Sequence, residues 1–272
     1  GSASGPAIFR VNSDGSLDST YTSNIRAPGY AYPGPTALSL DSAGKLYVGN
    51  RSVGLNQGAM ARFDTDGNRD TTYDNGTGVS QPGPWTLSLD SQNRLYVGGF
   101  FTALGGVGVS MFGRLNPDGS TDTSFMDIGS GFGTHVSALH QDKAGKLTVQ
   151  FGQGWHGASY NGVLGLTLLA RINRDGTFDQ TVIDKVGQFT SQSGYTPYVS
   201  LSSDSQGRIY QAGSWCLWCT GQNPNIVVSR WFQDASIDYS WNPILPSSAN
   251  IGQMLLKLIM TVMSIWAGIL LL

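Results

Sequence analysis

The stretch Arg62-Phe-Asp-Thr-Asp66-Gly-Asn-Arg-Asp70-Thr-Thr-Tyr73 decides the fold, because its pattern returns along the chain. The pattern is Arg, three residues, Asp-Gly, two residues, Asp, two residues and an aromatic. Its copies begin at Arg10, Arg62, Arg114, Arg171 and Arg230, which are 52, 52, 57 and 59 residues apart. Val182 replaces the aromatic of the fourth copy, and Ala235 replaces the glycine of the fifth. A regular period of this size predicts an array of one supersecondary unit.

A second pattern alternates with the first and predicts a β-hairpin in each repeat. It reads Thr36-Ala-Leu-Ser-Leu-Asp-Ser-Ala-Gly-Lys-Leu-Tyr-Val-Gly49 and returns at residues 86–98, 137–149 and 199–210. Each copy is an alternating run, a polar turn around Asp and a second β-rich run. The Arg…Asp-Gly unit adds a third strand, and the segments around Tyr21, Tyr73 and Phe125 are predicted to add a fourth. Four strands per repeat are the content of a propeller blade.

The composition favours an all-β protein and disfavours nucleic acid as a partner. The 272 residues carry a formal net charge of −2, whereas phosphate binding needs a concentrated basic face. All eighteen acidic residues are Asp, which forms turns and is a poor helix residue. The sequence begins Gly1-Ser-Ala-Ser-Gly-Pro, without a basic or apolar leader, so we expect any export signal to have been removed or replaced.

The repeats resemble a known family. The runs Ala61-Arg-Phe-Asp-Thr-Asp-Gly and Gly113-Arg-Leu-Asn-Pro-Asp-Gly, with the paired Leu-Tyr-Val-Gly runs, are similar to the delta-60 repeat, a bacterial repeat assigned to β-propellers. The resemblance covers roughly residues 8–242. It implies a propeller fold, and it implies no catalytic residues, no cofactor and no particular ligand.

We therefore expect a β-propeller of about four four-stranded blades, followed by a membrane helix. The predicted divisions are a lead at 1–7, the propeller at 8–242, a linker at 243–250 and a transmembrane helix at 251–272. The blades should lie at about 35–75, 84–127, 135–184 and 197–242. The unit at 8–22 lacks a hairpin, so the alternatives are a four-bladed ring with an extra flap or an arc with an incomplete fifth blade.

The charged residues of the pattern are predicted to be structural, because they recur in every repeat. Each arginine and the second aspartate, eight residues later, are expected to pair as a bidentate staple rather than to bind a ligand. Catalytic acids and bases are instead placed once, in one cleft. The structural set is Arg10, Asp14, Asp18, Arg62, Asp66, Asp70, Arg114, Asp118, Asp122, Arg171, Asp175, Asp179, Arg230, Asp234 and Asp238.

Metal and thiol chemistry have one weak candidate each. Asp64, Asp66 and Asp70 form the best calcium-like spacing, but the glycine follows the second acid directly, and the chain has no Glu for bidentate ligation. A tight turn is therefore favoured over a metal site. Cys216 and Cys219 form a Cys-x-x-Cys pair without a second pair, so a local disulfide in an oxidising compartment is favoured over zinc or redox roles.

A few side chains could bind ligands at blade tops. His140 stands where other repeats have Ser39, Ser88 and Ser202, and a lone His in such a place is more often hydrogen-bonded filler. Loop aromatics could bind a sugar or a partner protein. They are Trp85, Tyr195, Tyr198, Trp215 and Trp218.

The C-terminal residues 251–272 are predicted to anchor the chain in a membrane. From Met254 to Leu272 the chain has one charge, Lys257, and 1.5 Å per residue gives about 28 Å of helix, close to the hydrocarbon thickness. Thr261, Ser264 and Gly268 form a small-residue stripe for packing against another membrane helix. The alternative is an apolar helix packed inside an oligomeric assembly.

Together these expectations describe a non-catalytic scaffold or accessory subunit of a membrane protein complex. The propeller would lie on the periplasmic or extracellular side, and its partners would be the lipid bilayer and other membrane subunits. The alternatives are a carbohydrate-binding or hydrolytic propeller outside the cytoplasm, and a viral or cell-surface attachment protein.

Overall fold

The computed structural model describes residues 8–25, 35–50, 60–74, 76, 78–80, 82–125, 131–151, 158–160, 163–166, 169–179, 199–204, 206–215, 225–232, 236 and 238–241. Its described elements are one helix, α1 (Ser19–Ile25), and a series of short strands. The strands are β1 (Pro35–Leu40), β2 (Leu46–Asn50), β3 (Met60–Phe63), β4 (Gly83–Leu89), β5 (Leu95–Phe100), β6 (Ala103–Leu104), β7 (Val107–Gly108), β8 (Phe112–Leu115), β9 (Val136–Gln141), β10 (Leu147–Phe151), β11 (Ala158–Tyr160), β12 (Val163–Leu166), β13 (Leu169–Ile172), β14 (Val199–Ser203), β15 (Ile209–Trp215) and β16 (Asn225–Trp231).

The strands form one three-stranded antiparallel sheet in each repeat from the second to the fifth, and the first repeat, around Arg10, has none among its described residues. Sheet 1 has the order β1-β2-β3, sheet 2 β4-β5-β8, sheet 3 β9-β10-β13 and sheet 4 β14-β15-β16. The predicted hairpins are the first two strands of each sheet, with Leu40 opposite Leu46 in sheet 1. The Arg…Asp-Gly unit supplies the third strand, with Arg62 opposite Tyr47. The pairs β6-β7 and β11-β12 lie in the connections.

The aspartate in each hairpin closes its turn. In the first hairpin the Asp41 amide donates to the Lys45 carbonyl at 3.1 Å, and Asp41 Oδ1 accepts the amides of Ala43 and Lys45 at 3.0 and 2.8 Å. Gly44 takes a φ of +81° here, which costs glycine little. The repeated Asp of the hairpin pattern is therefore a turn acceptor.

The prediction of four-stranded blades is wrong, because the main sheets of the described chain have three strands each. The segment after the Asp-Gly unit turns back instead of extending: the amides of Tyr73 and Phe125 donate to the carbonyls of Asp70 and Asp122 at 3.4 and 3.3 Å. In the first repeat α1 starts at this point. Asp18 caps the helix by accepting the Tyr21 amide at 3.0 Å.

Of the two alternatives for the repeat array, the four-bladed ring is wrong for the part of the chain described. The first strands β1, β4, β9 and β14 contact one another in chain order, so the sheets stack in series. Within the described residues they do not close into a ring. No helix within the described ranges has the length and apolar character to cross a membrane. The predicted helix at 251–272, with Thr261, Ser264 and Gly268, lies outside the described residues, as do the lead and the linker.

The core lies between successive repeats. Ile8 and Tyr21 of the first unit pack on sheet 1 in one cluster. A second cluster joins sheets 1 and 2, and a third joins sheets 2 and 3 through Phe112, Phe125 and Leu139. Each repeat therefore buries its apolar face against the next one, as expected for a repeat array.

Candidate functional site

Arg114 joins its own repeat to the next. Its Nε donates to Asp122 Oδ2 at 2.8 Å, and its Nη2 lies 2.7 Å from the same oxygen. Its Nη1 donates to the carbonyl oxygen of Arg174 at 2.9 Å, in the following repeat. The guanidinium carbon lies 4.2 Å from the ring centroid of Phe125. We refer to this arrangement of arginine, aspartate, aromatic ring and next-repeat carbonyl as the latch.

Two further latches have the same geometry. Arg62 donates to Asp70 at 3.0 Å and to the carbonyl of Pro117 at 2.6 Å. Arg10 donates through Nε to Asp18 at 3.0 Å and through Nη1 to the carbonyl of Thr65 at 2.5 Å. In all three latches the acceptor carbonyl belongs to the residue just before the next Asp-Gly. The predicted Arg–Asp pairs are thus present, and each arginine also binds the neighbouring repeat.

The glycine of the Asp-Gly turn is needed for two reasons. Gly67 and Gly119 have φ values of +84° and +99°, in the region that favours glycine. A Cβ on Gly119 would also lie 2.7 Å from the Asp74 backbone, and one on Gly67 would lie 2.8 Å from the Tyr21 carbonyl oxygen. The backbone of one repeat therefore rests directly on the glycine of the next.

The fourth repeat departs from this geometry. Arg171 Nη2 contacts Asp142, while its Nε is 3.9 Å from Asp179. Asp179 is instead bound by Lys146 Nζ at 2.7 Å. Thr148 stands where sheets 1 and 2 have Tyr47 and Tyr96, whose hydroxyls lie 3.2 Å from the latch arginines. The aromatic of this unit is replaced in the sequence by Val182 and the glycine of the next unit by Ala235, and both lie outside the described residues.

The fifth repeat keeps the arginine pair. Arg230 Nε donates to Asp238 Oδ2 at 2.8 Å, and its guanidinium carbon lies 5.3 Å from the Trp241 ring centroid. Trp241 also meets Tyr210 edge-to-face at 5.5 Å.

The latch aspartates are held in the ionised form. Burial alone would raise the pKa of Asp122, but hydrogen bonds from Ser124 and Arg114 and the arginine charge lower it below its ordinary value. The pKa of Asp70 is likewise lowered against its burial by Lys45, Thr72 and Arg62. A carboxylate that stays ionised and bound to arginine is poorly suited to proton transfer near neutral pH.

The calcium-like aspartates bind N–H groups of the protein. Asp64 Oδ1 accepts the amides of Asp66 and Asn68 at 3.0 and 2.8 Å, and Asp70 Oδ2 accepts Lys45 Nζ at 2.8 Å. Among the residues that the structure describes, no three His, Cys, Asp or Glu side chains come together as a metal site.

A small aromatic group lies at the edge of sheet 2. The rings of Trp85 and His135 are 4.6 Å apart, and those of Phe100 and His135 are 6.4 Å apart. Burial lowers the pKa of His135, which favours its neutral form. The sequence pointed to Trp85 but missed His135. The repeat pattern could have indicated His135, because Trp85 lies in β4 and His135 directly precedes β9, and these first strands of successive repeats are neighbours.

His140 links sheet 3 to sheet 4. Its Nε2 lies 2.7 Å from Ser203 Oγ, and burial lowers the pKa of the imidazole. This hydrogen bond joins neighbouring first strands, which agrees with the interpretation of His140 as hydrogen-bonded filler. Trp215 is the last residue of β15. Other candidates lie outside the described residues, namely Tyr195, Tyr198, Cys216, Trp218, Cys219 and Asp234.

Solved structures similar to this chain are distant. They include the extracellular domain of a one-component system from B. thetaiotaomicron (14% identity, TM-score 0.37, 79% of this chain and 26% of that one). Others are a gluconolactonase from Xanthomonas campestris (11%, 0.35, 72% and 71%) and an endo-1,5-alpha-L-arabinanase from Thermotoga petrophila (13%, 0.36, 77% and 61%). This chain spans about a quarter of the length of the B. thetaiotaomicron protein. At TM-scores below 0.5, neither the fold nor the activity of these proteins is transferred to this chain.

The repeat itself gives a clearer comparison. No curated protein matches the chain. Residues 1–21, 44–73 and 93–125 match the model of a domain of unknown function (DUF5122) beta-propeller. These matched segments contain the first three Arg…Asp-Gly units, so those three repeats are similar to a β-propeller repeat family.

Proposed function

We propose that this chain is a non-catalytic scaffold built from delta-60-type repeats, which binds another protein through its exposed loops. The observation that carries the proposal is the latch: the arginines and aspartates that dominate the charged residues serve to hold one repeat to the next. In three repeats a single arginine joins its own aspartate to a carbonyl of the following repeat. We place the scaffold outside the cytoplasm, on the basis of the predicted Cys216–Cys219 disulfide and the repeat family.

The charge arrangement supports a scaffold over an enzyme. The side chains of Arg114 and Asp122 are 4% and 8% exposed, so the pair is closed to a substrate. A buried pair in which Nε and Nη2 of the arginine both contact one carboxylate oxygen fixes geometry. General acid–base catalysis instead needs an accessible group with a pKa near the working pH.

The binding experiment uses two neighbouring phenylalanines. Phe100 is 42% exposed and Phe101 is 1% exposed. A photo-crosslinking residue at 100 should capture one dominant protein from the native source, and the same residue at 101 should capture none. An equal yield at both positions would contradict a loop-mediated scaffold. So would turnover of polysaccharides or lactones that is lost in His135→Ala.

A second candidate function is carbohydrate binding, and the group of Trp85, His135 and Phe100 favours it. Sugars stack on aromatic faces, and Phe100, which is 42% exposed, has its ring 6.4 Å from that of His135. Titration with oligosaccharides should then change the tryptophan fluorescence of the native chain and leave that of Trp85→Phe unchanged. An identical response in both proteins would exclude Trp85 from binding.

A further inference from the structure

The first repeat presents an apolar surface that every later repeat buries. Phe9, Val11 and Leu17 are 59%, 56% and 53% exposed. The residues that occupy the position of Val11 in the later repeats are buried, with exposures of 1%, 0%, 0% and 5%. They are Phe63, Leu115, Ile172 and Trp231. In the second, third and fourth repeats the preceding repeat covers this position, since Phe63, Leu115 and Ile172 share clusters with Tyr21, Tyr73 and Phe125. We refer to Phe9, Val11, Leu17 and the turn at Gly15 as the acceptor end.

Among the described residues, no backbone of another repeat packs against the glycine in the turn of the first repeat. Gly67, Gly119 and Gly176 each lie against the backbone of the preceding repeat, at Tyr21, Asp74 and Phe125. A Cβ placed on Gly15 would meet nothing within 4 Å. Gly15 nevertheless has a φ of +84°, equal to that of Gly67. The acceptor turn is therefore formed and has no latch on it.

The last repeat presents the complementary half. Arg230 is paired with Asp238 and lies over the ring of Trp241, as in the internal latches. The aromatic residues of the first three latches, Tyr21, Tyr73 and Phe125, are 5%, 7% and 2% exposed. Trp241 is half-buried, and its neighbour Tyr239 is 80% exposed. We refer to Arg230, Asp238 and Trp241 as the donor end.

We propose that this chain binds a second copy of itself head to tail, with the donor end of one copy on the acceptor end of the other. Arg230 would donate to the carbonyl oxygen of Ser13, the residue before Asp14-Gly15, and Trp241 would pack on Gly15. The internal latches at Thr65, Pro117 and Arg174 give this geometry three times within the chain. The contact is heterologous, since two different surfaces meet, and each added copy presents a new free end.

The chemistry of the acceptor end favours a second copy over an unrelated partner. A carbonyl beside a bare glycine, flanked by apolar side chains, fits an arginine stacked on an aromatic ring. The Asp14 carboxylate accepts hydrogen bonds from the amide and hydroxyl of Ser16 at 2.9 and 2.7 Å. Asp118 accepts the same two bonds from Ser120, so the turn at Gly15 has the conformation found in an internal latch.

Sedimentation velocity of the full chain over a range of concentrations tests the proposal. The native chain should form dimers and longer species as concentration rises. Gly15→Val at the acceptor end and Trp241→Ala at the donor end should each raise the dissociation constant by at least about tenfold, because each removes a central contact. Val11→Asp provides a second acceptor variant at an exposed position, in case the valine disturbs the turn. Leu40→Ala, at a 64% exposed residue of sheet 1 outside the acceptor and donor ends, is the matched control and should associate normally.

Mixing the two variants distinguishes head-to-tail binding from non-specific association. Each variant keeps one intact end, so a mixture of Gly15→Val and Trp241→Ala should form one-to-one dimers and no longer species. A native chain that stays monomeric at all concentrations would overturn the proposal, and so would association that survives every end variant. The proposal deepens the scaffold function and rests on it. The two fail separately, because a monomer that still crosslinks a partner through residue 100 would leave the scaffold function standing.

Discussion

Replacing Arg114 with alanine should destabilise the protein more than the same change in any other latch of the first three repeats. The side chains of Arg114 and Asp122 are 4% and 8% exposed. Removing one partner of a buried ion pair leaves a buried charge and costs about 3–5 kcal/mol. The variant also loses the bonds to the Tyr96 hydroxyl and the Arg174 carbonyl, and the contact with the Phe125 ring.

Arg62→Ala and Arg10→Ala should lower the free energy of unfolding by less than Arg114→Ala does. Asp70 keeps Lys45 at 2.8 Å when Arg62 is removed, so the loss in free energy of unfolding should be smaller by about 1–2 kcal/mol. The side chain of Arg10 is 44% exposed, and solvent screens its pair with Asp18, so Arg10→Ala should have the smallest effect. The expected order of destabilisation is Arg114, Arg62, Arg10.

Urea unfolding followed by tryptophan fluorescence and by near-ultraviolet circular dichroism measures the three losses. Both signals must give the same midpoint, since repeat arrays can lose cooperativity. Arg114→Lys should recover only part of the loss, because an ammonium cannot bind the carboxylate and the carbonyl with a rigid fork. The reasoning fails if Arg114→Ala costs less than about 1 kcal/mol, or no more than Arg10→Ala.

Four further predictions concern the turn glycines, a latch aspartate, the calcium-like turn and the two cysteines. Gly119→Ala should cost at least about 2 kcal/mol, because backbone strain and a clash combine, whereas Gly15→Ala should cost about 1 kcal/mol from strain alone, as measured by urea unfolding. The lowered pKa of Asp122 implies stability that is complete above the ordinary aspartate value and is lost as the pH falls below it; Asp122→Asn should flatten this acid dependence. EDTA should leave the melting temperature unchanged. A melting temperature that falls in EDTA and rises again on addition of calcium would instead support a calcium site at this turn. Mass spectrometry without reduction should find Cys216 joined to Cys219, and two alkylated thiols would exclude the disulfide.

The local part of the structure could be predicted from the sequence. The Asp-centred hairpins and the Arg–Asp pairs depend on residues within about ten positions of each other, and their chemistry is visible in the repeat. The pairing of Arg62 with Asp70 is therefore readable from spacing alone. The second bond of the same arginine, to Pro117, crosses 55 residues and could not be read in this way.

The predicted fourth strand shows why the rest was missed. Aromatic residues such as Tyr73 and Phe125 are typical of strands, so the sequence favoured a strand there. Tertiary packing prevails instead: each ring lies under a latch arginine, with centroid distances of 4.6 and 4.2 Å, and fills the junction with the next repeat.

Hydrogen exchange of Arg114→Ala tests the central claim, that the repeated arginine holds one repeat to the next, most directly. In the native protein the Gly176 amide donates to the Asn173 carbonyl at 3.0 Å, within the turn that receives Arg114. We expect faster exchange at residues 173–177 in the variant, although they lie about 60 residues away in sequence and in a different sheet. Faster exchange confined to sheet 2, with residues 173–177 as protected as in the native protein, would contradict the claim.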